Sequence, residues 1–525
     1  MGIPSYFNLI IKNYINIFEK LKDFKNIDNL YFDSNSIIYE CLRKIDFNNY
    51  NDENNFINDI LLNVTNILDN YIQIINPRKR VFITFDGVAP MAKLQQQRTR
   101  RHKNIVLNEI EKKELDKPNE KKWDTSNITP GTQFMDKLNK YIKNYYENIF
   151  ENINNLSIMV SGSNEFGEGE HKIFQYIRDN QHYHSNTKTF IYGLDADLII
   201  LCLNHIHITN KLYLFREIPE YDNNLKEIFK NEDYCILNIE KLAFESNKQI
   251  NKYNLDLNDY ILLSFFIGND FLPHFPSINI RNNGLTILLE TYKNVIKKDE
   301  KICNNGKINW KILRKFVNEL SKNEENNLKS EYKIMDSFKN NYLIKSNNKL
   351  KSLLLPCIDR EKEDYIDVYN KGWEERYYDI LLHINDKEQI KKLCINYLEG
   401  LEWNLSYYTY GCKNYRWCYN YNYPPLFKDL IKYIPYFDCD LLNENYNKIT
   451  PLAQLSYVLP YQSLYLLPNN LREMLLEKIY YNENYELIWA FCRYLWESHI
   501  NLEFLDINKI EKITNNYYNN LKDNS

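Results

Sequence analysis

An α/β fold, built on a mainly parallel sheet and followed by a helical region, is what this sequence predicts. Two observations carry the prediction. Short apolar runs end in acids, at "NLYFD" (29–33), "VFITFD" (81–86) and "TFIYGLDAD" (189–197), and each has the length and β-branched or aromatic make-up of a buried strand. Between them lie longer runs of helical period, such as "FINDILLNVTNILDNYIQII" (56–75), and strand–helix–strand alternation places successive strands parallel. In open parallel sheets ligands sit beyond the carboxyl ends of the strands, so acids at three strand ends are expected to converge.

The remaining elements follow in order. After the second strand, "MAKLQQQRTRRHK" (91–103) reads as a polar helix, and "LNEIEKKELDKPNEKKWD" (107–124) as an exposed helix and loop projecting into solvent. A polar region containing "SKNEENNLKSEYK" and "IKSNNKLKSLLLP" marks a junction at residues 321–372. It divides an α/β core, 1–320, from a helical, aromatic-rich region, 373–525, that includes "LEGLEWNLSYYTYGCKNYRWCYNYNYPPLF".

Composition bounds the function. At 525 residues, 44% hydrophobic and 26% charged, the chain can build a sizeable core and is not disordered. A/T-biased coding accounts for the abundance of Tyr and for Asn tracts such as "NNYNDENN", and would suit a large DNA virus or an A/T-rich protist. The net charge of −4 excludes binding of nucleic acid through global basicity but leaves room for a local basic channel beside an acidic site. Ten cysteines without a CxxC pair read as reduced thiols rather than a zinc site. The N-terminus lacks a secretory pattern and no run approaches 18 apolar residues, so a soluble intracellular protein is expected, with the cytoplasm favoured over the nucleus.

Seven carboxylates stand at strand ends or in glycine-tightened turns: Asp33, Asp86, Glu168 and Glu170 of "GEGEHK", Asp195 and Asp197 of "GLDADL", and Asp270 of "FFIGNDFLPH". One such acid alone is most often a helix cap. Seven together repel one another and raise each other's pKa, so they call for compensating cations, and hard divalent ions take oxygen ligands. Glu168/Glu170 and Asp195/Asp197, each at i and i+2, are expected to point the same way along extended or turning backbone. Two Mg²⁺ or Mn²⁺ ions held by such a set would support phosphodiester hydrolysis.

On the following helix Lys93, Gln97, Arg100 and Arg101 fall at i, i+4, i+7 and i+8, one face. Tethered to Asp86 by a short turn, that face is expected within about 11 Å, or two helical turns, of the acids. Planar Arg donors so close to a cleavage site suit the grip of a terminal phosphate, which makes an exonuclease. Arg98, His102 and Lys103 are expected to be solvated or to line a channel.

In these segments the sequence resembles the XRN family of 5′-to-3′ exoribonucleases. The resemblance runs in order through "MGIPSYF", "NLYFDSNSIIYEC", "FDGVAPMAKLQQQRTRR", "WDTSNITPGTQFM", "GEGEHKIFQYIR", "YGLDADLIIL", "FFIGNDFLPHFPS", "LEGLEWNLSYYTYG", "NYNYPPLF" and "PLAQLSYVLP", covering residues 1 to about 470. It implies a PIN-like, flap-nuclease-related core, two divalent metals, and processive removal of nucleotides from single-stranded RNA with a 5′ monophosphate, by a monomer. Carried over by position, the metal-site acids are the same seven, and the 5′-phosphate pocket is Lys93, Gln97, Arg100 and Arg101. The family sandwiches the first base between a His and a Trp. Here Tyr39 stands at the His position, and Trp417, ahead of Trp403, is taken for the Trp. Ser36, Met91 and Phe166 depart from the family's usual Gly, Arg and Pro without removing an acid. The competing readings are a DNA flap endonuclease and a non-catalytic RNA-binding protein; the seven intact acids speak against the second.

Overall fold

The computed structural model describes residues 6–115, 122–150, 156–219, 222–230, 232–253, 256–304, 306–342, 353–482 and 485–523. The opening "MGIPS" of the resemblance, residues 116–121 of the expected projection and 343–352 of the expected junction lie outside them.

Seven strands form the central sheet: β1 Phe18–Glu19, β2 Asn29–Asp33, β3 Arg80–Thr84, β4 Ser157–Ser161, β5 Thr189–Tyr192, β6 Leu212–Glu217 and β7 Tyr234–Asn238. Their order is β1-β7-β6-β5-β2-β3-β4, with β6 to β4 mutually parallel and β7 and β1 added antiparallel at one edge. The chain builds outward from β2 to β3 and β4 on one side, then returns to place β5 and β6 on the other. The point of reversal therefore lies between β2 and β5, where a crevice opens beyond the strand ends. Register sets Asp33 opposite Thr84 at that edge.

Alternation along the strands splits the core into two layers. Leu30, Phe32, Val81, Ile83, Phe190 and Tyr192 face the helix Glu53–Ile75. Tyr31, Phe82 and Ile191 face the opposite side, where Ile173, Leu198, Leu201 and the helix Lys387–Thr409 complete the larger cluster. Each large apolar side chain fully buried there contributes about 1.5–3 kcal/mol. That cluster holds residues from both expected halves of the chain. Moreover, one helix, Trp310–Tyr342, runs unbroken across residue 321, so no linker begins there. A helix buries polar-looking sequence when only one stripe need be apolar: Leu313, Phe316, Val317, Leu320 and Leu328 supply that stripe.

The remaining C-terminal elements clasp the first part of the chain. The helices Pro451–Val458 and Ile507–Asp523 pack with Met91 and Leu94. The hairpin Glu486–Ile488/His499–Asn501 covers Val106, Leu107 and Ile110, so the start of the expected solvent projection is in fact packed. All ten cysteines are unpaired thiols. Among the described residues no helix is long and apolar enough to cross a membrane.

Candidate metal centre and nucleic-acid interface

The acids gather at the carboxyl edge of the sheet, on either side of the reversal. Asp33 ends β2, and Asp86 follows β3 by two residues. The Asp86 carboxylate accepts hydrogen bonds from Asn35 Nδ2 at 2.7 Å and from the Gly169 backbone N–H at 2.8 Å. Glu168 is the residue preceding the helix Gly169–Asp179, and Glu170 lies in its first turn; Asp197 likewise opens the helix Asp197–Asn204. Both i and i+2 pairs thus lie on turning backbone, with Glu168 still extended at φ −72° and ψ 153°. They converge because each straddles a helix N-terminus, where unpaired N–H groups favour negative charge. Two glycines make the approach possible. Gly167 adopts φ +101°, and a Cβ on Gly169 would lie 2.5 Å from Asp33 Oδ1 and 3.0 Å from Thr84 Oγ1.

Burial and then mutual repulsion set the electrostatics. The pKa of Asp33 is driven well above its usual value by burial and by Asp86, Asp195 and Glu168; that of Glu170 by burial and by Glu168, Asp33 and Asp197. Asp197 is pushed up to about 7 by burial and by Asp270. Each of the seven acids thus lies in the field of at least one other. Among the described residues Lys93 is bonded into them: its Nζ is 2.6 Å from Glu168 Oε2 and 3.1 Å from Asp270 Oδ2. Burial works against its charge, but Glu168, Asp270 and Glu170 outweigh it and hold the ammonium protonated well above its ordinary range.

A divalent metal fits this donor set in chemistry, since hard cations take carboxylate oxygens. Asp33 Oδ1 and Asp197 Oδ1 are buried without a hydrogen-bond partner, a costly state for carboxylates unless a cation satisfies them. Among the described residues no three acids stand close enough to hold one ion as they are, and Lys93 supplies the compensating charge instead.

Lys93 belongs to the helix Met91–Leu115, so the basic face starts inside the acid cluster. Further along, the face divides. Arg100 lines a cavity of about 400 Å³ together with Gln96, Asp270, Tyr421 and His499. Arg101 does not line that cavity; it donates through Nη2 to the Ile128 carbonyl with its Nη1 buried and unpartnered, and burial brings its pKa down to about 10. Gln97 is buried, and its Oε1 is also unpartnered. Tyr39 lies within the electrostatic reach of Arg101.

Two groups of expectations need correction. Trp417 is 7% exposed; its indole N–H donates to Glu399, and its ring packs on Trp403 at 5.2 Å and against Gly400. No face is open for a base, and Trp403, 1% exposed, is more enclosed still. Arg98 and His102 are buried, not solvated, whereas Lys103 is half-buried and lines the same cavity as Arg100. Arg98 donates to the Glu503 carbonyl and lies over Tyr457, His102 is buried against Arg98 O and Tyr485, and Lys103 Nζ donates to the carbonyls of Trp496 and Ser498. They tie the basic helix to the C-terminal clasp.

Comparison with known proteins agrees with this layout. Residues 1–218 match the family model described as "XRN 5'-3' exonuclease N-terminus", and residues 252–356 and 347–525 match the "Xrn1 helical domain". The chain belongs to the XRN family. The 5′-3′ exoribonuclease 1 of Schizosaccharomyces pombe is 26% identical over 644 residues, covering 96% of this chain and 48% of that protein. The 5′-3′ exoribonuclease 1 of Homo sapiens is 28% identical over 540 residues, covering 89% of this chain and 31% of that one. The XRN-family chain thus spans half or less of these relatives' length. Among solved structures, the catalytic core of Rad2 in complex with DNA substrate overlaps 55% of this chain and 69% of its own, at 12% identity and a TM-score of 0.31.

Several groups at the XRN-type site escape a reading of the sequence. Tyr407 donates to Glu168 Oε1 at 2.5 Å, and its ring is clamped between His171, at 3.7 Å, and Trp403, at 4.5 Å. Tyr408 contacts Asp197. Asn35 orients Asp86. Tyr407 sits 239 residues from Glu168, and Tyr408 is similarly remote from Asp197, in an aromatic-rich segment where nothing local separates them from core.

Proposed function

We propose that this XRN-family chain is a divalent-metal-dependent exoribonuclease that removes nucleotides processively from the 5′ end of RNA bearing a 5′ monophosphate. The observation that carries the reading is Lys93: the first basic residue of the phosphate-gripping face is bonded directly to Glu168 and Asp270 of the acid cluster. Acids and basic face therefore form one unit, with a terminal phosphate held next to the bond to be cut. The names of the full-length relatives, 5′-3′ exoribonuclease 1, support the same reading.

Asp33, Asp86, Glu168, Glu170, Asp195, Asp197 and Asp270 would hold two Mg²⁺ or Mn²⁺ ions, several through water. Bound metal supplies Lewis acidity and an activated water. The chain's own groups do the rest. Asn35 and Gly169 N–H fix the Asp86 carboxylate, and Tyr407 fixes Glu168. Lys93, Gln97, Arg100 and Arg101 hold the 5′ phosphate, and Tyr39 stacks on the terminal base. Arg101 Nη1, a buried donor without a partner, supports a phosphate site, and Gln97 would donate to it through its amide nitrogen. A phosphate enclosed on several sides leaves no room for a cap, which gives selectivity by exclusion.

Matched RNAs and DNAs with 5′ hydroxyl, monophosphate or triphosphate ends, incubated with Mg²⁺ or with EDTA, test the proposal. Stepwise loss of nucleotides from monophosphorylated RNA, abolished by EDTA, is expected. Cleavage indifferent to the 5′ end would remove the phosphate pocket, and activity undiminished in EDTA would remove the metals.

A further inference from the structure

A second surface lies beside the acids, at the end of the basic helix opposite Arg100 and Arg101. Its inner edge is Phe166, two residues before Glu168 and hence within about 7 Å of it along the backbone. The Phe166 ring is 42% exposed; Lys448 Nζ lies 4.5 Å from its centroid and 5.6 Å from that of Tyr415. The Tyr415 carbonyl accepts the Met91 N–H, which anchors this edge to the first residue of the basic helix. Outward from it opens a cavity of about 720 Å³ lined by Gln175, Lys307, Tyr410, Lys413, Tyr446 and Lys448, among others, with no acid among the described lining residues.

The cavity is lined by residues of the same segments that carry the site. Gln175 is on the helix that carries Glu170, about 7.5 Å further along its axis. Tyr410 follows Tyr407 and Tyr408, which touch Glu168 and Asp197. Its ring lies against Gly306, where φ is +68° and a Cβ would come within 2.4 Å of the ring, so that a side chain there would push Tyr410 aside. Tyr410 is nonetheless 54% exposed and Tyr446 59% exposed. Lys307 is paired with Asp440 at the rim and Tyr446 is bonded to Glu444; the exposed aromatic rings interleaved with Lys413 and Lys448 combine a stacking platform with attraction for a polyanion.

We propose that this groove is a track for the single-stranded RNA on the 3′ side of the scissile bond, with bases stacking on Tyr446 and Tyr410 and phosphates passing Lys448 and Lys413. The inference rests on the exoribonuclease reading and deepens it. Along the basic helix the order is groove, acids, then Arg100 and Arg101, so a strand whose 5′ phosphate is held at the far end leaves the acids through the groove. Such a track holds the shortened strand between cuts, which is what repeated removal of single nucleotides needs.

The test measures binding in EDTA of two 5′-monophosphorylated RNAs, one of about 3 nucleotides and one of about 12, by fluorescence anisotropy. It compares the intact chain with K413A/K448A and with Y446A. The longer RNA is expected to bind about tenfold more weakly to each variant, as loss of one stacked base or two phosphate contacts would give. For K413A/K448A the slope of log affinity against log salt should fall by about 1.4. The short RNA should bind, and with Mg²⁺ be cut, as before. All three side chains are surface groups, and unchanged thermal unfolding confirms that the variants fold. If the intact chain degrades the long RNA and the variants bind it equally well, or weaken short and long alike, the track is wrong while the exoribonuclease reading stands. If the intact chain binds neither RNA, both fall. Displacement of the long RNA by a polyglutamate peptide at equal charge concentration would also overturn the assignment to RNA.

Discussion

Tyr407 shows how much of this site depends on a single oxygen. Its hydroxyl is the donor that holds Glu168 Oε1 while Lys93 holds Oε2. Tyr407→Phe removes that donor but keeps the ring between His171 and Trp403, so the fold is expected to survive. Groups that orient metal ligands typically change affinity by 10- to 100-fold when lost. The Mg²⁺ concentration for half-maximal RNA degradation should therefore rise about tenfold or more in the variant, and calorimetric Mn²⁺ binding should weaken in parallel; an unshifted metal titration would contradict the role. His102 makes the corresponding argument for stability. Burial, with the Arg98 charge second, brings its pKa down to about 3, and its ring Nδ1–H donates to Arg98 O. A histidine whose folded pKa lies below its unfolded value of about 6.5 contributes stability that is complete above that pH. The contribution is lost as the pH falls toward 3, because only the unfolded chain takes up the proton. Urea unfolding at about pH 7 and about pH 5 should show the natural chain losing roughly 1–2 kcal/mol more than His102→Gln; equal losses would show that His102 is not held neutral.

At the scale of elements, the glycine-flanked helix Gly169–Asp179 does the positioning. Its N-terminus touches Asp33, Thr84 and Asp86 at once. Gly169→Ala puts a methyl 2.5 Å from Asp33 Oδ1 in a site with no slack. Overpacking of this kind costs about 1–3 kcal/mol, and here it also separates two of the acids. Urea unfolding should register the destabilisation, and degradation of monophosphorylated RNA should fall by at least tenfold; a variant with natural stability and rate would mean that the approach is not tight. The elements were also what the sequence showed best. β2 occupies 29–33 as its pattern predicts, because a buried strand needs only a short apolar run. The helix Met91–Leu115 appears with Lys93 at the acids, because the turn after Asp86 is too short to carry it elsewhere. Long-range partners were not legible. Arg98 and His102 look like surface charge until the C-terminal segment closes over them, and Trp417 looks like a stacking platform until Trp403 and Gly400 pack against it. The supposed boundary near 320 failed for the same reason: a charged helix with one apolar stripe reads as a linker when its partner lies 100 residues away, where Glu324 accepts from the Phe427 and Lys428 N–H groups.

For the whole molecule, the arrangement is a sheet edge that gathers acids, a basic helix that begins among them, and a C-terminal clasp that fixes that helix in place. The clasp explains why the helical region shares one core with the sheet: without it Arg98, His102 and Lys103 would face water, and the face bearing Arg100 and Arg101 would have no fixed direction. The central claim is that this face reads the 5′ phosphate. The most direct test is the ratio of degradation rates for 5′-monophosphate and 5′-hydroxyl RNA of one sequence, measured for the natural chain, for Arg100→Ala/Arg101→Ala and for Asp197→Ala. The natural chain should prefer the monophosphate by at least tenfold, the double variant should bring the ratio to about one while keeping residual metal-dependent cleavage, and Asp197→Ala should abolish both rates. A double variant that keeps the natural ratio would contradict the account.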